Sequence, residues 1–387
     1  MSFFTKKSLP KVNVVYDIDD DSVAVAIVST HKKLPEIIWS CRYPVIINQS
    51  FDDQSYVRAL QQALERVQSD IAKKGLPLLK KLGFSQTIQD VRCVLGTRWH
   101  TADSMSSSMR SDDSFVPTDQ HLREAQKQIH QKFIHYHDNE SIDTELEHVS
   151  HRVLRILGDN QPVSLTQSRP INRLDVQMYI SKIPRLVKHM IKRVLVQTYQ
   201  TRSITFHSSF ESINNALMIT NRKLRDFIFI LPGRGRTTIV SSRYGSIHRV
   251  SHVPIGEDFL VRTISTALNR PHHDIRSRIQ LRKKNRHHPA GMREMNIALD
   301  EISRRWLQST YKEIESMTRG NSPQTVFVSM TDSNTGKVFG EFASRLKTYE
   351  SKLQISNINT EHFSEYIENH RLPDYRLTMS VLGTCGY

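Results

Sequence analysis

Apolar residues fall into short runs with two different periods, and the alternation of those periods predicts the elements. Val12–Ile18 and Val23–Ser29 are nearly continuous apolar runs separated by Asp19-Asp20-Asp21, the composition of a buried hairpin with a carboxylate turn. Ile37–Val45 continues the meander. Asp52–Lys74 changes to the helical period, with Tyr56, Leu60, Leu64, Val67 and Ile71 on one face and Gly75-Leu76-Pro77 as a stop signal. A strand is expected at Val91–Gly96, a loop at the Ser-, Met- and Asp-rich Thr101–Asp113, and a helix from the Thr118 cap to about Tyr136. Val149–Gly158, Gln161–Leu165 and Leu174–Ile180 alternate like strands of a small sheet. Ile183–Tyr199 reads as a helix whose polar face carries Arg185, Lys188, Lys192 and Arg193.

The second half opens with a short helix, Glu211–Met218. The strand Asp226–Leu231, the turn Pro232–Arg236 and the strands Thr237–Ser241 and Ile247–Pro254 follow, and a helix starts near Glu257. This strand–turn–strand unit repeats the opening hairpin about half a chain later, which predicts an internal duplication. Asn269–Gly291 reads as a basic, His-rich insertion. A long helix over Arg293–Met317, a strand at Thr325–Met330 and helices at Gly336–Leu346 and Asp374–Gly383 complete the chain.

Composition narrows this picture in three ways. With 387 residues, 38% hydrophobic and 24% charged, the chain suits a globular protein of several subdomains rather than a disordered one. Its longest apolar runs fall far short of the roughly 20 residues that span a bilayer, and none near the start resembles a signal peptide, so a cytoplasmic location is expected. Three scattered cysteines, Cys41, Cys93 and Cys385, argue against a disulfide framework or a thiolate zinc site. The formal net charge of +15 adds an attraction to nucleic acid, anionic lipid or an acidic partner, without choosing among them.

Taken in order, these elements resemble the FtsA/PilM family of bacterial actin-like proteins. In that family the first turn usually reads Asp-apolar-Gly-small-x-small; here it is Asp17-Ile18-Asp19-Asp20-Asp21-Ser22. The second usually reads Asp-apolar-Gly-Gly-Gly-Thr-x-Asp; here it is Leu231-Pro232-Gly233-Arg234-Gly235-Arg236-Thr237-Thr238. Val253-Pro254-Ile255-Gly256-Glu257-Asp258 is similar to the family's strand end and helix start, Ser329–Thr335 to its adenosine loop, and Asp374–Gly383 to its last helix. The resemblance implies an α/β, ribonuclease H-like duplicated fold of the actin/Hsp70 type, in two lobes, with an FtsA-type α+β subdomain inserted in the first. It implies a first-lobe subdomain over 1–88, returning at about 372–387, and an inserted subdomain over 89–182. The second lobe would then start at 183–255, carry a basic upper subdomain at 256–320 and end at 321–371. The remnant nucleotide site would comprise Asp17, Asp19, Asp20, Asp21, Ser22, Gly233, Arg234, Gly235, Arg236 and Thr237, with Thr331, Asp332 and Ser333 from the adenosine loop.

Phosphate loops use glycine because backbone N–H groups must approach the oxygens closely. Asp19 replaces that glycine, and two more carboxylates follow it. Like unit charges about 4 Å apart repel by roughly 4 kcal/mol at an effective dielectric of about 20. In the second turn, Leu231 and Thr238 replace the carboxylates that organise metal and water for phosphoryl transfer. Loss of hydrolysis is therefore expected, with ATP and magnesium not expected as cofactors; an ATPase with altered loops is the alternative. Acidic gains in one turn and basic gains in the other raise the expectation that Asp–Arg pairs bridge the lobes.

Metal chemistry finds little support. The Asp17–Asp21 run lacks the glycine and distal glutamate of an EF-hand loop. The pairs His272-His273 and His287-His288 point apart and have no further ligand at metal spacing. Thr335-Gly336-Lys337 supplies only a Gly-Lys pair of a P-loop.

Arg276, Arg278, Arg282, Lys283, Lys284 and Arg286 form a basic stretch without aromatic residues, which favours an acidic peptide over nucleic acid. The resemblance implies as partner either an FtsZ-like tail peptide or the cytoplasmic peptide of a membrane pilus protein, with self-polymerisation left open. It also implies indirect or peripheral attachment to the membrane, since Met1–Lys7 is too short to anchor the chain firmly. The role expected first is an FtsA-like scaffold in cell division or a cytoskeletal polymer, and next a PilM-like component of type IV pilus assembly.

Overall fold

A computed structural model describes residues 10–47, 53–137, 145–165, 169–199, 203–283, 292–318, 325–329, 334–368 and 374–385. The chain divides into two units. Unit 1 comprises Met1–Arg222 and Thr360–Tyr387, and unit 2 comprises Lys223–Asn359.

Unit 1 is built on the predicted hairpin. β1 (Val12–Ile18) and β2 (Ser22–Ser29) are buried along their whole length, and β3 (Glu36–Pro44) completes the antiparallel meander. Two parallel strands extend it, β4 (Ile88–Leu95) and β9 (Ile204–Ser208), giving the order β3-β2-β1-β4-β9. Strands buried on both faces must be apolar throughout, which is why β1 and β2 read as runs rather than alternations. One face is covered by α1 (Asp53–Asp70) and α4 (Arg185–Tyr199), which share a core with Tyr16, Val25, Leu64, Val67 and Ile191. On the other side α10 (Tyr375–Cys385) packs against β1 and against α5 (Ser209–Thr220). The inserted sheet has the order β5-β8-β6-β7, from β5 (Thr101–Phe115), β8 (Ile171–Pro184), β6 (Leu146–Gly158) and β7 (Gln161–Pro162). α3 (Asp119–His137) covers one face of it through Ala125, Ile129 and Phe133.

Unit 2 repeats the plan. β10 (Phe227–Pro232), β11 (Thr237–Arg243), β12 (Ser246–Val253), β13 (Thr325–Val328) and β14 (Gln354–Asn357) run in the order β12-β11-β10-β13-β14. The pairings are again antiparallel at the hairpin and parallel beyond it. α6 (Glu257–Leu268), α7 (His272–Lys283), α8 (Met292–Thr318) and α9 (Asn334–Ser344) contribute to its core, where Trp306, Phe339 and Phe342 are in ring contact. The twin sheets bear out the predicted duplication.

Several local expectations fail for identifiable reasons. Thr101–Asp113 is not a loop but most of β5: its small polar residues hide a period of two, with Met105 and Met109 packed toward the core beneath α3. Gly75-Leu76-Pro77 does not stop the helical path. Ile71–Gly75 forms a π turn, and α2 (Leu76–Lys81) follows with its proline in the first turn, where a missing N–H costs nothing. β8 runs on to Pro184, so α4 starts two residues later than expected. The basic region 269–291 contains α7, and its residues from 284 onward lie outside the described set. β9 and β14 were not anticipated, because five and four residues are too few for a periodic signal. β9 and α4 pack into the first sheet's core, so the units divide at Arg222/Lys223 rather than at 183.

Acid should loosen unit 1. Burial, with Lys182 next, pushes His148 down to about 4, and burial together with Arg92 does the same to His207. A depressed histidine favours the neutral folded form, so its contribution is complete above the ordinary range near pH 6.5 and is lost toward pH 4. Urea midpoints should fall steadily through that window; midpoints constant from pH 7 to pH 4.5 would contradict this.

Candidate functional site

The first turn is closed by its own atoms. The Asp19 N–H donates to Ser22 O (2.9 Å), the Asp20 N–H to Asp19 Oδ1 (2.7 Å) and the Ser22 hydroxyl to Asp21 Oδ1 (2.7 Å). Neighbouring segments fix it further: Trp99 Nε1–H donates to Asp19 O (2.9 Å), and the Val45 N–H to Asp21 O (2.8 Å). The Asp19 carboxylate lies directly against Gly96, where a Cβ would sit 2.3 Å from Oδ1, so no side chain fits there. Two amides of the turn are therefore already used, and a carboxylate fills the space beside them.

Two arginines of unit 1 pair with carboxylates in and beside the turn. Arg376 on α10, only 6% exposed, pairs with Asp19 and lies 3.3 Å from Asp21. Arg42 on β3 bonds Asp17 (2.8 Å), both oxygens of Asp374 (2.6 and 3.0 Å) and the Ser22 hydroxyl (2.6 Å). Ser380 on α10 donates to the other oxygen of Asp17 (3.2 Å), and Asp374 accepts from the Leu377 N–H (3.0 Å) at the start of that helix. Burial acts to lower the Arg42 pKa, but Asp17 and Asp374 outweigh it, and the net shift is upward. Burial lowers Arg376, partly offset by Asp17; a guanidinium nonetheless stays charged at any working pH. Sequence reading named Asp17, Asp19, Asp20, Asp21 and Ser22 but missed Arg42, Asp374 and Arg376. The available signal was a lone arginine in the otherwise uncharged run from Tyr375 to Tyr387.

The second turn is closed in a different way. The Gly233 N–H donates to Arg236 O (2.9 Å), while Gly233 O and Arg234 O accept from the Glu257 and Asp258 N–H groups (3.1 and 2.9 Å) at the start of α6. A helix start is an anion site only while its amides are free, and here the turn takes the first two. Gly256 makes the approach possible, since a Cβ there would meet Gly233 O, Arg234 O and Arg236 N at 2.6–2.7 Å. Asp258 lies between Arg234 (3.3 Å) and Arg276 (2.9 Å). Thr237 is buried, donating to Ile255 O (2.7 Å) and accepting from Trp306 Nε1–H (2.9 Å). Leu231 is also buried, and Thr238 faces His252 Nδ1 at 3.2 Å. Gly235 has open space around it. Asp19 and Asp21 of the first turn and Arg234 of the second thus each have a charge partner inside their own unit.

The other expected residues are only partly placed. Thr331, Asp332 and Ser333 lie outside the described residues, as do Lys284, Arg286 and the side chains of Arg282 and Lys283. Arg276 pairs with Asp258 and Arg278 with Asp274, so these members of the basic stretch are engaged locally. No group of three metal-binding side chains suited to an ion occurs among the described residues, nor any helix long and apolar enough to cross a membrane.

No family model matches the chain, and no curated protein matches it either. Solved structures do. The structure described as the "PilM-PilN type IV pilus biogenesis complex" is 10% identical, with 96% of each chain covered and a TM-score of 0.60. The ethanolamine utilization protein EutJ of Carboxydothermus hydrogenoformans is 11% identical over 99% of this chain and 93% of that one, at a TM-score of 0.47. A Bacteroides thetaiotaomicron protein described as having an actin-like ATPase fold and unknown function is 12% identical over 100% and 99%, at 0.44. With the twin sheets, the similarity to the PilM-PilN structure establishes an actin-like ATPase fold for the chain.

Replacing Arg376 with Met should destabilise unit 1 by about 3–5 kcal/mol, because buried carboxylates lose their counter-charge. Adding Asp19→Asn should recover part of the loss. Chemical denaturation followed by far-UV circular dichroism measures both, and a loss below about 1 kcal/mol would show that the pairs carry little.

Proposed function

We propose that this chain is a PilM-type actin-fold scaffold that does not use ATP and acts by holding a short peptide of a membrane-bound partner. The observation that carries the nucleotide half of the reading is Arg376, whose guanidinium occupies the acidic first turn. The used amides, the Asp19 carboxylate against Gly96 and the neutral Leu231 and Thr238 add to it. The residues present do not suit Mg-ATP: a triphosphate would have to displace an internal ion pair and face Asp19, Asp20 and Asp21. The scaffold half is supported by the likeness to the PilM–PilN structure, which extends over nearly the whole of both chains. That likeness puts the pilus reading ahead of cell division, which stands on motif order alone.

Isothermal titration of Mg-ATP into the full chain, with phosphate release followed in parallel, tests the nucleotide half. No saturable heat and no release above the no-protein rate are expected. Micromolar binding would overturn it.

A further inference from the structure

β8 carries an anomaly that neither turn explains. Ile171, Leu174, Val176, Met178 and Ile180 are fully buried in the core beneath α3. The period of two makes residue 182 the next inward position, and it is a lysine, 3% exposed, with Nζ 5.7 Å from the centre of the Phe133 ring. Burial lowers its pKa. Among the described residues no carboxylate pairs with it. The acids on neighbouring elements are engaged elsewhere: Glu147 pairs with Lys188 (2.7 Å), Asp103 faces His137 (3.8 Å) and Glu211 takes the Ser150 hydroxyl.

Imidazoles lie nearby. Lys182 lies opposite His148 in the ladder, and Ile180 lies opposite His151. A bulge between His148 and Ser150 inserts one residue, which brings both histidines to the same face. His130 on α3 completes the group, with ring centres 4.7 Å from His148 and 5.9 Å from His151; the latter two are 5.7 Å apart. His130 Nδ1 is buried without a hydrogen-bond partner. His148 and His151 are exposed, so the group opens to the surface. Burial and Lys182 hold His130 and His148 in their neutral forms at neutral pH, with Lys188 of α4 adding to the effect on His148.

We propose that Lys182, His130, His148 and His151 form a binding site for the carboxylate of an aspartate or glutamate side chain on a protein partner. One ammonium beside neutral imidazoles balances one negative charge, and neutral imidazoles can each donate an N–H. A phosphate would bring about two charges and favours the arginine forks that this group lacks. The surrounding stripe is apolar, so a lysine there serves binding at the expense of packing. The site does not depend on the reading of the nucleotide turns.

Histidine-selective NMR of the full chain at pH 6.5 tests it. Sodium acetate, titrated against sodium chloride at matched ionic strength, should move the ring resonances of His130, His148 and His151 saturably. A blocked tripeptide carrying one glutamate should reproduce the shifts, and its glutamine counterpart should not. Lys182→Met fits the apolar stripe; it should fold with a higher Tm and weaken acetate binding at least about tenfold. Lys132→Met removes the same charge from the exposed face of α3 and should leave binding unchanged. Equal responses to acetate and chloride, or an acetate response that survives Lys182→Met, would overturn the proposal. A larger response to phosphate than to acetate would also overturn it, as would equal losses from the two lysine variants. If Lys182→Met fails to fold, Lys182→Gln carries the same test.

Discussion

Unit 1 is organised around two guanidiniums set among carboxylates. Arg42 and Arg376 reach Asp17, Asp19, Asp21 and Asp374, and in doing so they tie β3, the β1–β2 turn and α10 together. Breaking a buried pair of this kind is costly, because the remaining charge has neither water nor partner. The constraint reaches far along the chain: α10 returns from the C-terminal end to cover strands formed near the start, and its side chains from Tyr375 to Leu382 are buried. A helix so sealed can carry an arginine only where acids meet it, and the acidic turn supplies them.

The same constraint links fold to function. Phosphate turns work by leaving backbone amides unpaired and pointing at a site that a ligand can enter. Both hairpins here use amides internally: the first pairs the Asp19 N–H with Ser22 O and the Asp20 N–H with the Asp19 carboxylate, and the second pairs the Gly233 N–H with Arg236 O while its carbonyls accept from the first amides of α6. Under the function proposed above, an actin-like fold whose hairpin turns are closed in this way keeps its sheets and its inserted subdomain as surfaces for other molecules. That is the physical basis for reading the chain as a scaffold.

Much of this was legible in the residues. The two buried hairpins announce themselves as apolar runs around turns of extreme composition, and their recurrence half a chain apart foretold sheets of identical order. The acidic turn was located to the residue and the glycine-rich turn to within one, since Pro232 ends β10. What escaped detection depended on distance along the chain: Arg42 and Arg376 meet Asp17 and Asp19 only after the sheet has formed. β5 escaped because runs of Ser and Asp mask a strand whose inward apolar residues include Met105 and Met109, with Ser107 buried between them. The histidine group escaped because one residue of bulge in β6, invisible to periodicity, decides which side chains share a face.

The central claim is that the first turn is closed from within and has no use for a nucleotide. Hydrogen–deuterium exchange over residues 12–29, with and without saturating Mg-ATP, tests it most directly. Slow exchange at the Asp19 and Asp20 amides, the same in both conditions, is the result this account requires. Fast exchange there without nucleotide, or new protection when Mg-ATP is added, would contradict it.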